Sequence, residues 1–430
     1  MRKKRIIILG AGISGLSCAW YLSKLSHLCE FIVLEKMQRP GGYLQTENQN
    51  GFLFEKGPRT FKTSRSAELL ELAHELGLKN ELIESDGSAA KRYLWLNQKM
   101  QKLPGPLFSF SLFKEWFVAA KTKEEETIYE FAVRRFNKKL AERFFDPLAT
   151  GVYAGDIRSL SMNSCFPYFK MLEEKYGSVI KGFLKERFKN KKPESSLFSF
   201  HGGVQTLIHA LSQKLKDHLH FGEEVTKIRF NKNKAEVQTK SGLLEADLVI
   251  CALPAEALGR IFYSTDREIG SLLQSIKLQG LISLNLGFKD AVLPFKGFGY
   301  LVPSSQQQQI YGAVFDSAIF PQQNQAPNET RITAMVKENT DIQTALSEIK
   351  KHLKIFVLPD FVKSLVFKNA IPQFELGHRK KIQLLKQKML EKYSACRLLG
   401  NYLKGVSVND CIANSSELVL NLQQELLSRP

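Results

Sequence analysis

RIIILGAGISGLSCAWYLSK, residues 5–24, decides the fold. An apolar, β-branched strand (Arg5 to Leu9) meets three glycines, Gly10, Gly12 and Gly15, where a helix of about Ser14 to Lys24 begins. That is the geometry of a dinucleotide site. Gly10 permits the tight turn, Gly12 lets the backbone approach a pyrophosphate, and Gly15 lets helix and strand pack closely. Ala11, Ile13 and Ser14 complete the turn, and the helix N-terminus offers unpaired N–H groups to phosphate. The preceding MRKKR gives the segment the look of a signal peptide, but glycines at a strand-to-helix junction argue for the cofactor turn.

Working outward, a second apolar strand, EFIVLE, ends in Glu35, whose carboxylate can accept from ribose hydroxyls and would repel a 2′-phosphate. KMQRPGGYLQTE follows, with Arg39, Gly41 and Gly42. It resembles the R-x-G-G element that continues the dinucleotide motif in amine oxidase-like FAD families. An NAD dehydrogenase needs no such extension, so the expected cofactor is FAD.

Further segments resemble one family. FEKGPRTF (residues 54–61), AAKRYLWLNQKMQKLP (89–104), GVYAGDIRSLSMNSCFP (151–167), FHGGVQTL (200–207), GFGYLVPSS (297–305), IPQFELGH (371–378) and YLKGVSVNDCI (402–412) stand in the order of the oxygen-dependent protoporphyrinogen oxidase family. The resemblance spans essentially the whole chain. It implies an α/β fold: a Rossmann-like FAD-binding domain of the amine oxidase and p-hydroxybenzoate hydroxylase type, a mixed-sheet substrate domain and a helical, membrane-facing insertion. The VSVNDCI ending is more similar to this family than to the related coproporphyrinogen oxidases.

The cofactor domain is expected to be discontinuous, from 1–85, 200–270 and 385–430. Strand-like EEVTKIRF (Glu223 to Phe230), the buried-strand run DLVICAL (Asp247 to Leu253) and RLLGNYLKG support this division. The substrate domain would be 271–384, and 86–199 a helical, basic unit. A closing helix of about Asp410 to Leu427, capped near Asn409-Asp410, would direct its positive end at the flavin.

The resemblance also implies site residues. Glu35, Lys36, Tyr43 and Gly57, Pro58, Arg59 and Thr60 surround the cofactor, Val225 touches the adenine by its backbone, and Val406, Ser407 and Val408 lie against the isoalloxazine. Arg92 takes a propionate, Phe298, Leu301 and Met335 line the tetrapyrrole cavity, and the Gly151 carbonyl lies over the substrate. Without the resemblance, Arg59 and Arg92 read as surface arginines and the three apolar residues as strand core. Where mitochondrial-type relatives carry tryptophan after LGH, this chain has Arg379. That flavin contact is not carried over.

The implied reaction is FAD-dependent oxidation of protoporphyrinogen IX in three hydride transfers, with O2 as acceptor and hand-off of product to ferrochelatase. Alternatives are a coproporphyrinogen III oxidase and a noncatalytic carrier on the same fold. No Ser-His-Asp or Cys-His constellation stands out, and the chemistry demands no covalent nucleophile.

Composition narrows the partners. The 430 residues carry 61 Lys+Arg against 43 Asp+Glu, a net +18, and 30 phenylalanines. Such a balance favours anionic partners. Residues 91–195 hold 21 Lys+Arg against 12 Asp+Glu, about half the surplus. There LFSFSLFKEWF (107–117) and FLKERFKNKK (183–192) mix aromatics with cations, which suits a peripheral site on an anionic membrane as well as it suits a solvated basic face. No nucleic-acid module is recognisable. Six cysteines without a C-x-x-C pair read as reduced thiols of a cytoplasmic protein. His218 and His220 read as strand histidines, and no metal site is expected.

Overall fold

The computed structural model describes residues 2–103, 115–121, 125–189, 196–231 and 234–428. β1 (Lys4–Leu9), α1 (Ile13–Ser23) and β2 (Cys29–Glu35) open the chain. They belong to a parallel five-stranded sheet in the order Leu219–Phe221, β2, β1, Leu248–Cys251, Cys396–Leu398. All three stretches expected of the cofactor domain therefore contribute strands to one sheet. The continuous apolar runs IIIL and LVIC follow from burial on both faces, as a parallel sheet covered by helices requires.

One face packs under α1, the helix Gln205–Lys214 and the closing helix Val408–Leu427. The other is covered by Ala255–Tyr263, Arg267–Gln274 and His378–Lys392. The strand expected from Glu223 begins only at Lys227, in a small antiparallel sheet, because Glu223 N–H instead donates to the Glu35 carbonyl at 2.9 Å. His218 ends a short 3-10 turn and stacks on Phe31 at 4.2 Å between ring centres, so only His220 is a strand residue.

A second sheet has seven strands in the order Phe361–Pro372, Leu278–Phe288, Thr330–Lys337, Ile310–Val314, Gly299–Leu301, Arg92–Leu96, Lys99–Leu103. Its last two members correct the expectation that 86–199 is a helical unit. Arg92–Leu96 and Lys99–Leu103 form a hairpin closed by Asn97 and Gln98, with φ of 51° and 58°. This left-handed pair matches the twist of the flanking strands. The hairpin joins the sheet through a parallel pairing of Arg92 with Gly299 and Leu94 with Leu301.

Helices follow from Ile128. They pack around Phe131, Phe145, Leu160 and Leu172, with a buried charge network at one end. There Arg135 meets Glu115, Arg134 bridges Glu126 at 2.6 Å and Glu173 at 2.8 Å, and Lys170 reaches the same two glutamates at 3.0 and 2.8 Å. Each buried cation is thus compensated, as its desolvation requires. Residues 107–114 and 190–192 of the aromatic, basic segments lie outside the described residues. Among the described residues, no helix is long and apolar enough to cross a membrane.

Candidate active site

β1 ends where Gly10 turns with φ 98°, its N–H donating to Leu34 O at 2.8 Å. A Cβ on Gly15 would stand 1.9 Å from Gly10 O, so only glycine lets α1 pack on the turn. Gly12 differs. It caps α1 without any side-chain hydrogen bond, and a Cβ there would meet nothing within 4 Å. An open face beside an uncapped helix N-terminus is what a pyrophosphate needs.

The second loop lies against the first: Gly41 N–H donates to Ala11 O at 2.7 Å, and Gly42, at φ 57°, faces Gly12. Glu35 turns its carboxylate to the same place, accepting from Ala11 N–H and Met37 N–H, each at 2.9 Å. Each oxygen keeps a lone pair for a ribose hydroxyl. The Glu223–Glu35 bond brings half-buried Val225 alongside, and Lys36 is exposed beside it. These residues fit the diphosphate, ribose and adenine of FAD.

Gly57 packs on the Tyr43 carbonyl, 2.4 Å from where a Cβ would stand, so the 57–60 segment continues from the R-x-G-G loop. Pro58 is exposed, while Arg59 and Thr60 are half-buried. The surface reading of Arg59 is corrected: its guanidinium pairs with Asp316 at 3.1 Å, at 14% and 11% side-chain exposure. Asp316 also accepts from Thr333 at 2.7 Å. Nearby Glu55 is buried, accepting from Val204 N–H at 2.8 Å and Thr46 Oγ1–H at 2.9 Å. Burial pushes its carboxyl up to about 8, against those hydrogen bonds and the Arg59 charge.

The closing helix starts earlier than expected. Ser407, not Asp410, is its N-cap: Ser407 Oγ accepts from Asp410 N–H at 3.1 Å, and Asp410 accepts from Ser407 N–H at 3.2 Å. This capping box occupies both ends of the S-x-x-D pattern. Val408 is buried on the cofactor side, and Val406 packs on the helical unit. Arg379 donates to the Asn163 carbonyl, tying its helix to the same unit.

Four of the five expected substrate residues form two contacting pairs along the parallel strands Arg92–Leu96 and Gly299–Leu301. The parallel pairing places Arg92 beside Phe298, with the guanidinium 5.0 Å from the ring centre. Arg92 remains accessible as a residue although its head is partly covered, and burial lowers its pKa. A Cβ on Gly151 would touch Leu301 Cδ2 at 2.9 Å. Gly151 lies in the last turn of the helix Asp146–Tyr153, where carbonyls have no following turn to accept from. Met335, the fifth, stands in register across Gly312 from Leu301. Gly312, which sequence reading missed, is required by close packing, because a Cβ there would stand 2.3 Å from Tyr300 O and 3.0 Å from Leu301 Cδ2. A separate cleft of about 710 Å³, lined by Thr46, His201, Gln205, His209 and Leu76 among others, shares no residue with this group. The expected substrate residues are instead held by the contacts of Arg92 with Phe298 and of Leu301 with Gly151.

A glycine-turned parallel sheet facing a large mixed sheet across a partly apolar junction defines an FAD-dependent oxidoreductase. The chain belongs to the flavin-containing amine oxidoreductase family, whose pattern matches residues 13–412. It is 30% identical to the protoporphyrinogen oxidase of Macaca fascicularis, across 97% of this chain and 98% of that one. It is 26% identical to the coproporphyrinogen III oxidase of Bacillus subtilis, across 99% of each. A crystal structure of an Exiguobacterium sp. 255-15 protein matches with TM-score 0.86 at 21% identity, covering 99% of this chain and 100% of that one. Cyclohexylamine oxidase from Brevibacterium oxydans IH-35A matches at 0.75 and 13%, covering 99% and 100%. These two likenesses speak to the fold.

Proposed function

We propose that this protein oxidises protoporphyrinogen IX to protoporphyrin IX. The observation that carries the reading is Arg92, stacked on Phe298 at the edge of the Leu301–Gly312–Met335 strip with no carboxylate in ion-pair reach among the described residues. A cation free to pair, beside apolar side chains, suits a large tetrapyrrole with carboxylates at one edge. FAD, when bound, supplies a two-electron acceptor, and three such transfers take a porphyrinogen to a porphyrin. Arg92 orients a propionate, and Phe298, Leu301 and Met335 cover the rings from water. The Gly151 carbonyl oxygen steadies the positive charge that develops as a meso carbon loses hydride and a pyrrole nitrogen its proton. Arg59, held by Asp316, and the Ser407-capped helix border the flavin.

Molecular oxygen as final acceptor, giving hydrogen peroxide, belongs to the same proposal, as do a cytoplasmic location and hand-off of product to ferrochelatase. So does docking on an anionic membrane. Phe183, Leu184 and Phe188 are exposed beside Lys181 and Lys185, which fits that role. The test is fluorescence appearance with the FAD-loaded protein and protoporphyrinogen IX, and a rate no faster than without enzyme refutes the reading. The Bacillus subtilis relative favours a second reading, oxidation of coproporphyrinogen III. Direct competition between the two porphyrinogens separates them.

A further inference from the structure

Three cations gather at this junction from two parts of the chain. Arg92 opens the hairpin of the second sheet. Lys62 and Arg65 lie 30 and 27 positions earlier, at the end of the cofactor-side segment that carries Arg59. The short strand Phe61–Lys62 pairs with Leu197, and Leu197 packs in the same small apolar cluster as Phe298 and Ala89. Arg92 donates to the Ala89 carbonyl at 3.5 Å and covers Phe298. Thr63 fixes the turn after Lys62 by donating twice to Ser196 O, each at 3.0 Å. Arg65 stacks 5.3 Å over Tyr168 of the helical unit. One cluster thus supports Lys62 and Arg92, with Arg65 on the adjoining turn.

Among the described residues, none of the three, each exposed as a residue, has a carboxylate within 4.0 Å, whereas Arg59, Arg134 and Lys170 are all paired. Burial, then Arg65, then Arg92 all hold the Lys62 ammonium below its usual range. Like charges packed together without a counter-ion cost free energy unless a ligand supplies the opposite sign. The apolar Leu301–Gly312–Met335 strip is the contrasting edge.

We propose that Lys62, Arg65 and Arg92 form a two-carboxylate docking edge, in which Arg92 takes one propionate of the tetrapyrrole and Lys62 with Arg65 takes its neighbour. This rests on the porphyrinogen reading above. Protoporphyrinogen carries its two propionates on adjacent pyrroles, so both meet the cationic edge while its vinyl and methyl groups meet the strip. Coproporphyrinogen carries two more carboxylates, which this orientation would bury unpaired against Leu301 and Met335. The edge is therefore a specificity determinant for the two-propionate substrate.

Binding of the product, protoporphyrin IX, to the FAD-loaded protein tests the edge apart from turnover. Wild type is expected to bind the free diacid at least about tenfold tighter than its dimethyl ester, the worth of one charge-assisted contact. Lys62→Ala with Arg65→Ala should weaken the diacid about tenfold and leave the ester unchanged, with KM for protoporphyrinogen IX rising in step and kcat within about twofold. Lys62→Arg with Arg65→Lys should restore diacid binding. Equal wild-type affinity for diacid and ester overturns the proposal without any variant. So does a double alanine variant that keeps wild-type diacid affinity or loses both ligands alike. A wild-type protein that prefers the diacid yet fails to oxidise protoporphyrinogen refutes the proposed reaction and leaves the docking edge standing.

Discussion

Replacing Glu55 with glutamine should stabilise the protein increasingly as pH rises. The carboxyl is 4% exposed and titrates at about 8 rather than at the usual 4.5, chiefly because burial penalises its ionised form. In the unfolded chain it ionises near 4.5, so between these values folding takes up a proton. The stability it contributes is complete below about pH 4.5 and is lost as pH climbs to about 8. Moving the titration that far corresponds to on the order of 5 kcal/mol. Glutamine keeps an acceptor for Val204 N–H and can donate to Thr46 Oγ1, but it has no proton to lose. For a chain of 430 residues the entropy of unfolding is about 0.9 kcal/mol per degree, so the Tm of Glu55→Gln minus that of wild type should grow by about 5 °C between pH 5 and pH 9. Scanning calorimetry of both FAD-loaded proteins at one scan rate measures it. A Tm difference that stays flat across this range, or shrinks, refutes the assignment of a neutral buried Glu55.

Arg92→Ala should raise KM for protoporphyrinogen IX roughly 10- to 100-fold while FAD content stays at wild-type level; unchanged KM and kcat reject the propionate role. Gly12→Ala should fold normally but bind FAD at least about tenfold more weakly, because its methyl group enters the space left for the pyrophosphate, whereas Gly15→Ala, with its 1.9 Å clash on Gly10 O, should yield no soluble protein. Titration of apoprotein with FAD, followed by flavin fluorescence, separates the two, and a Gly12→Ala variant with wild-type affinity would place the pyrophosphate elsewhere. Sedimentation with anionic vesicles at low salt should carry the protein down and Phe183→Ser with Phe188→Ser should release it; a protein that stays in the supernatant at low salt has no such docking face.

What could be read from sequence was local or was repeated at every level. The Gly10–Gly15 turn needs only neighbours in the chain, and LVIC reads as a buried parallel strand because such strands are apolar without alternation. The Arg92–Leu103 hairpin escaped because Asn97-Gln98 lacks the glycine that marks most left-handed turns, and because its place in the sheet depends on pairing with residues some 200 positions away. Ser407 and Asp410 both suit a cap, and only the reciprocal bonds show which residue occupies the cap and which the third helical position. Asp316 was invisible for a similar reason. Its role depends on Arg59, 257 residues earlier, and nothing in VFDSAIF marks it. Gly312 gains meaning only from the register that sets it between Leu301 and Met335.

The charge surplus of residues 91–195 also takes a different form in three dimensions. Arg134, Arg135 and Lys170 are consumed by Glu115, Glu126 and Glu173 within the helical unit, three cations against three anions, so this network removes nothing from the net charge. Among the described residues, cations outside this network lie on the surface, where Lys181 and Lys185 flank exposed aromatics, and at the junction, where Arg92 has no carboxylate within ion-pair reach. These two locations make different demands. A surface cation facing lipid is screened by salt within about 10 Å, whereas a cation whose head is partly covered beside Phe298 is screened less. Raising ionic strength should thus release the protein from anionic vesicles before it weakens the hold on a propionate, which makes salt the variable that tells the two uses of this charge apart.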